Sequence, residues 1–505
     1  MKKMPTRPVE IPIRVFNQQA VILIILFFTC LVGLLLYTYN LKATTIFSSD
    51  FARDTLRTLE IWQNREITFI GSPLSLQSNP EDKIYFTSLS LYLGIPGLVL
   101  SGFKPIGPTM TQTFLYLFSI PFVYLTLRLL ELSAKFSMIG TILYAISPVT
   151  VYFARIFWTP SNLIPFSVFF WFFALNPRIN YNFLAGLIAG VMFNIHYISL
   201  FPIVIFIVFL FLEGNREKAV SITKGCLLGL VPFLVFELRN EFFLSKSFFE
   251  RLTMGTLYTG GIEEINPLFK LTIFFSALVG LRSADITYNT FLQNPLLLEF
   301  GSLIILILLV SLFSRTSRSF PSVFPSIKIF LSAVILWAVV TKTTLHTRYL
   351  FSTYPIFIYF LVRLLTIGRR SFLLWIFLPF MLGTTFMHLG RTQRLTNYTI
   401  PLELLERISE TIISSTPGGR YNITENVTGD ATGTAIRFFL LRDARVKPQA
   451  PTDYSNLDML YVVTPNLRKT YSENRWEFRA TENLELVESR KVSPLFVYKF
   501  YPNRK

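Results

Sequence analysis

Long apolar runs recur along this chain from Ala20 to Gly390, and many are long enough to cross a bilayer as helices of about 17 to 25 residues. Of the 505 residues, 52% are hydrophobic and 16% aromatic, more apolar surface than a soluble fold can hide. The first run, Ala20 to Tyr39, is too long for the apolar part of a secretory signal. No small-residue cleavage site follows it, so it reads as a retained span.

The formal charge of +17 raises the question of nucleic acid, but the basic residues cluster beside apolar runs. That pattern fits the positive-inside rule rather than a nucleic-acid groove. Cys30 and Cys226 both fall inside expected spans, so neither a disulfide framework nor a zinc spacing is indicated.

Hydropathy and charge asymmetry together predict about eleven spans, with Lys2, Lys3, Arg7 and Arg14 holding the N-terminus in the cytoplasm. Their cores are 20–39, 108–130, 137–153, 162–176, 183–197, 198–213, 221–239, 295–314, 325–342, 351–367 and 371–389. An odd count puts the C-terminus outside. Three outer segments are too polar to span: 40–107, 240–294 and the tail after 390. Within the first two, Tyr85 to Gly102 and Leu268 to Leu281 read as helices at the outer interface. The tail, 391–505, changes composition and reads as a small soluble α/β domain, which leaves 1–390 as the membrane domain. In the tail Leu402 to Ser414 has helical spacing, while Met459 to Val463 and Leu495 to Phe500 read as strands. Phe438, Phe439, Trp476 and Tyr498 offer it a core. The expected architecture is a membrane all-α fold with interfacial helices on the outer face and this small α/β unit.

The first outer loop carries the most informative stretch, Ser48 to Arg57. A serine before an amphipathic pattern signals a helix start, with Phe51, Thr55, Leu59 and Trp62 on one face and Asp50, Asp54 and Arg57 on another. At the positive end of a helix Asp50 stays ionised. The same pattern suits an interface helix with charge pairing along its surface. Between two later spans, His346-Thr347-Arg348-Tyr349 gathers three polar side chains at headgroup depth. An arginine there can fork onto phosphate oxygens, although Arg and Tyr are also common interface anchors. Glu237 and Arg239 lie at the outer edge of the seventh expected span, two residues apart and so facing different ways. His196 ends the fifth, and Arg155, Trp158, Pro160 and Asn162 line the outer turn between the third and fourth.

The order of these features resembles the GT-C membrane glycosyltransferases, in particular the family 39 group with protein O-mannosyltransferases, aminoarabinose transferases and their bacterial relatives. The matching pieces are Asp50 to Asp54, Ser147-Pro148 with Arg155 and Trp158 to Asn162, Asn194 to Tyr197, Phe236 to Asn240, and His346 to Tyr349. Many relatives carry a His-Gly-Pro-like turn later in the first loop, where this chain reads Asp82-Lys83-Ile84-Tyr85-Phe86. The resemblance implies inverting transfer of a sugar from a polyprenyl-phosphate donor on the outer face of the cytoplasmic membrane, with Asp50 as base or acceptor-orienting group. Arg348, helped by Tyr349 or His346, would then meet the phosphate charge that grows as the donor breaks. Asp54 could orient Asp50, pair with Arg57, or help bind a divalent cation. Arg53, Arg57, Lys83, Arg155, His196, Glu237 and Arg239 complete the cavity candidates.

Two other classes share the apolar bulk and basic outer sites: a transporter or flippase of lipid-linked saccharides, and a polymerase or ligase of another membrane fold. A transporter would more typically show pseudo-symmetry between halves and broken spans near the midplane. A non-catalytic scaffold would have no use for Asp50. Sugar, acceptor and metal are not written in any motif.

Overall fold

The computed structural model describes residues 13–45, 47, 49–73, 85–246, 351–366, 372–392, 400–428, 430–467 and 484–502. The membrane part begins with α1 (Ile13–Thr38), a short α2 (Leu41–Thr44) and α3 (Ser49–Asn64), followed by a hairpin of β1 (Ile70–Pro73) and β2 (Tyr85–Thr87) and by α4 (Leu89–Leu100). Then come α5 (Ile106–Leu129), α6 (Ala134–Ile146), α7 (Pro148–Ala154), α8 (Leu163–Leu175), α9 (Ile179–Ile195), α10 (Leu200–Leu212) and α11 (Arg216–Arg239). Two more helices, α12 (Tyr354–Thr366) and α13 (Phe372–Thr392), close this part. Each expected span among the described residues falls on helical structure, but 137–153 is divided between α6 and α7 by a break at Ser147. The expected spans 295–314 and 325–342 and the outer helix Leu268 to Leu281 lie outside the described residues.

Among the described residues three helical stretches are long and apolar enough to cross a membrane: Gln18–Thr38, Ile106–Leu129 and Arg216–Arg239. A fourth is the bent pair α6 and α7, which meet at 50°. The bend has a local cause. Pro148 forces Ser147 into an extended conformation and starts a new helix, because proline has no N–H to continue the old one. The break is then pinned from α12, whose Tyr354 hydroxyl lies 2.6 Å from Ser147 Oγ and 3.3 Å from Thr150 Oγ1. In lipid a freed polar group needs such a protein partner. The other apolar helices, α8, α9 and α10 among them, are shorter.

α9 and α11 approach closely enough to exclude side chains. A Cβ on Gly186 would lie 2.0 Å from the Ile222 carbonyl oxygen, and one on Gly225 would lie 2.1 Å from that of Phe183. Without a hydrophobic drive between helices in lipid, such small-residue contacts are a main source of association.

The described residues from 400 onward form an α/β unit: α14 (Leu402–Ser415), β3 (Tyr421–Glu425), α15 (Thr434–Asp443), β4 (Met459–Thr464), β5 (Leu484–Val492) and β6 (Leu495–Pro502). The sheet order is β3-β4-β6-β5, with β3 and β4 parallel across α15 and the remaining pairs antiparallel. Phe438 and Phe439 are buried in its core; Trp476 lies outside the described residues. The core is not confined to this unit. Phe47, Ala52, Leu56 and Leu59, which follow α1, belong to the same cluster as Leu405, Ile408, Ile436 and Phe439. Phe47 packs edge-on against Phe438 and Phe439, at 5.5 and 6.2 Å between ring centres.

Candidate active site

α3 is held on both sides. Ala52, Leu56 and Leu59, spaced four and three apart, share one face that packs under α15, while Ile61 packs with Leu91 of α4 and Phe157. What remains for the charged residues is a seam between the membrane part and the tail unit. There Arg53 is the hub: its Nη1 donates to Asp50 Oδ1 at 2.7 Å, and its Nη2 and Nε reach Asp54 Oδ1 at 3.3 and 3.4 Å. Burial works against the Arg53 charge, but the Asp54 and Asp50 carboxylates outweigh it and hold the guanidinium's pKa above its ordinary value.

The two aspartates differ in access. The Asp54 side chain is 1% exposed and that of Asp50 43%, so only Asp50 can meet a substrate directly. The second oxygen of Asp54 accepts from the Thr159 amide at 3.0 Å and from the Thr159 hydroxyl at 2.8 Å. Thr159 opens a single 3-10 turn, Thr159–Asn162, that leads into α8. Asp54 thus fastens α3 to the α7–α8 turn, with Phe51 edge-on to Trp158 at 5.8 Å beside it. Of the three roles open to Asp54, pairing with Arg57 is not what is seen. Arg57 turns to Glu60 and Glu66, at 3.1 and 2.9 Å.

Other candidates are placed elsewhere. Arg155 is buried and donates to the carbonyls of Leu36 and Tyr37, at 2.9 and 3.2 Å, and to the Thr44 hydroxyl. It therefore caps the last turn of α1, where a cation also suits the helix dipole. Glu237 is buried and its two oxygens accept from the amides of Leu244 and Ser245, at 3.0 and 2.9 Å, so it closes the turn after α11. Arg239 is exposed on the opposite side of that helix end. His196 ends α9, its amide donating to Met192, and next to it the Tyr197 hydroxyl donates to the Tyr85 carbonyl at 2.6 Å. Lys83, His346, Arg348 and Tyr349 lie outside the described residues. Among the described residues no group of three His, Cys, Asp or Glu is placed to hold a metal.

Thr159 is the participant that sequence reasoning left without a role. Its signal was a hydroxyl inside the Trp158 to Asn162 motif, but nothing local shows that it answers a carboxylate 105 positions earlier.

The fold that carries this seam joins a helical membrane part, with a polar loop after α1, to a small α/β tail. It matches ArnT from Cupriavidus metallidurans bound to undecaprenyl phosphate with a TM-score of 0.60 and 11% identity, over 94% of this chain and 97% of that one. The apo state of the same protein matches at 0.61 and 12%, over 96% and 98%. The apo oligosaccharyltransferase of Archaeoglobus fulgidus matches at 0.50 and 12%, over 86% of this chain and 65% of that one. At such identities the likeness is one of fold. No protein-family model and no curated protein sequence matches the chain.

Proposed function

We propose that the chain is an inverting glycosyltransferase that moves a hexosyl or pentosyl group from a polyprenyl-phosphate donor to an acceptor at the outer face of the cytoplasmic membrane. Residues 1–390, with about eleven spans, are the catalytic domain, and 391–505 an extracytoplasmic domain that selects the acceptor. The observation that carries this reading is the half-exposed Asp50 carboxylate, held by Arg53 beside the buried Asp54, in a fold shared with a protein solved with undecaprenyl phosphate.

In this mechanism the acceptor oxygen forms a bond to the anomeric carbon from the face opposite the phosphate, and the bond from that carbon to the phosphate oxygen breaks. The bonding pair leaves with the polyprenyl phosphate, which gains a negative charge, and the acceptor proton passes to Asp50. Arg53 donates to one oxygen of Asp50 and limits its rotation. Arg348, with Tyr349 or His346, takes the charge that develops on the leaving phosphate. Asp54 acts on Asp50 through Arg53 and as the anchor to Thr159.

The test is transfer by the purified protein with a panel of polyprenyl-phosphate sugars, read as release of polyprenyl phosphate. Turnover with one of them, dependent on Asp50, supports the reading. Movement of an intact lipid-linked sugar across vesicles, without release, would replace it with a flippase.

A further inference from the structure

We propose that the cavity of about 810 Å³ where the end of α3, α4 and α15 meet is a second saccharide subsite, built for an anionic sugar of an oligosaccharide acceptor. The assignment rests on the glycosyltransferase reading and extends it to the class of acceptor. The volume falls in the range of sites that hold a small organic ligand.

Its wall is made of ring faces and charges. Trp62 is 43% exposed although it sits in the middle of a domain junction. Tyr92 shows its ring while its hydroxyl is engaged with the backbone of Glu66 and Thr68, at 3.2 and 2.9 Å, which fixes the ring in place. Aromatic faces carry partial negative charge and suit the polarised C–H face of a sugar ring. Two arginines, Arg65 and Arg442, and one acid, Glu66, provide the charge. Arg442 is answered by Glu406 and Asp443, and Glu66 by Arg57. Arg65 has no ion-pair partner among the described residues, so the wall has one cation to offer a ligand.

The backbone supports a purpose for that cation. Arg65 ends α3 in the left-handed region, at φ 53°, with the Glu66 amide returning to the Ile61 carbonyl at 3.0 Å. This is the position where helices usually place glycine, because a side chain is disfavoured there. Phe103, also on the wall, is likewise left-handed at φ 60°. Bulky residues where glycine is easier accord with a use for their side chains.

Trp62 lies twelve residues beyond Asp50, which at about 1.5 Å per residue is about 18 Å along the helix. A ligand that reaches both is a chain of several sugars, not a monosaccharide.

The probe is a series of oligogalacturonates from disaccharide to hexasaccharide, titrated by calorimetry into the full-length protein without donor, with malto-oligosaccharides of equal length as the neutral series. We expect saturable binding of the longer uronates, about tenfold weaker in Trp62→Ala, in Arg65→Gly and for the neutral series. Arg65→Gly suits the left-handed turn, so it removes the charge without endangering the fold. Absence of saturable uronate binding, equal affinity for the neutral series, or affinity unchanged in both variants would overturn the assignment. Failure of every polyprenyl-phosphate sugar to support transfer, with uronate binding intact, would instead sink the catalytic reading alone.

Discussion

Asp54 Oδ2 accepts two hydrogen bonds from Thr159, one from its amide and one from its hydroxyl, at 3.0 and 2.8 Å. One residue thereby joins α3 to the α7–α8 turn while its other oxygen holds Arg53. Replacing Thr159 with Val removes the hydroxyl and leaves the amide, so a buried carboxylate loses one donor. We expect destabilisation of about 1 to 3 kcal/mol. Asp54→Asn also strips Arg53 of its closest buried counter-charge and should cost more, about 3 to 5 kcal/mol. Thermal unfolding of the purified variants checks the order.

Asp50 and Arg348 serve opposite sides of the reacting carbon in the proposed mechanism, so their loss should differ in kind. Asp50→Asn keeps the shape and removes the basic oxygen; transfer should fall about a hundredfold to ten-thousandfold with donor binding retained. Arg348→Ala should weaken donor binding and slow the step as well. Near-normal transfer by Asp50→Asn at normal expression would give the base role to another carboxylate.

Glu425 is almost fully buried at the end of β3. Burial, opposed by hydrogen bonds from Thr428 and Val427 and reinforced by Asp430, raises its pKa from 4.5 to about 7. The folded state then binds the proton more tightly than the unfolded chain. Stability is fullest below about pH 4.5 and is lost as pH rises to about 7, by about 3 kcal/mol in all. Glu425→Gln cannot titrate, so the slope of unfolding temperature against pH between about 5 and 7 should flatten. An unchanged slope would assign it to other groups.

The contact between α9 and α11 leaves no room for a methyl group at Gly225. Gly225→Ala must push the Phe183 carbonyl away, and we expect a loss of about 1 to 3 kcal/mol. Among the described residues nothing lies within 4 Å of a Cβ placed on Gly383, so Gly383→Ala is the control expected to keep its stability. Detergent-melting curves of the two variants compare them directly.

The positions of α1, α5 and α11 were legible because a span must satisfy its own backbone in lipid, which writes its length into one unbroken apolar run. Helix α14 was legible from its period, and strands β4 and β6 from their β-branched and aromatic residues. Strand β5 was not: it lies at the sheet edge with Leu486 and Val487 exposed, so no buried face imposes an alternation on Leu-Glu-Leu-Val-Glu-Ser-Arg-Lys-Val. β3 and α15 also escaped notice. In the site, the carboxylates of α3 could be picked out by charge and helix position. Their burial could not, since it comes from α15 and the α7–α8 turn, both remote in sequence. Arg155 and Glu237 mark the same limit. A charge at a span edge looks the same in sequence whether it meets a ligand or closes the end of a neighbouring helix.

Phe47, Ala52, Leu56 and Leu59 complete a core whose other members, Leu98 apart, begin only at Ile400. During synthesis the carboxylate helix emerges early, and most of what covers its greasy flank is made only with the tail unit. A ribosome that stalls before the tail therefore leaves behind a protein with most of its membrane helices and a helix without its backing. The charged face of α3 does not wait in the same way, because Arg53 and Thr159, which hold its aspartates, are made long before the tail.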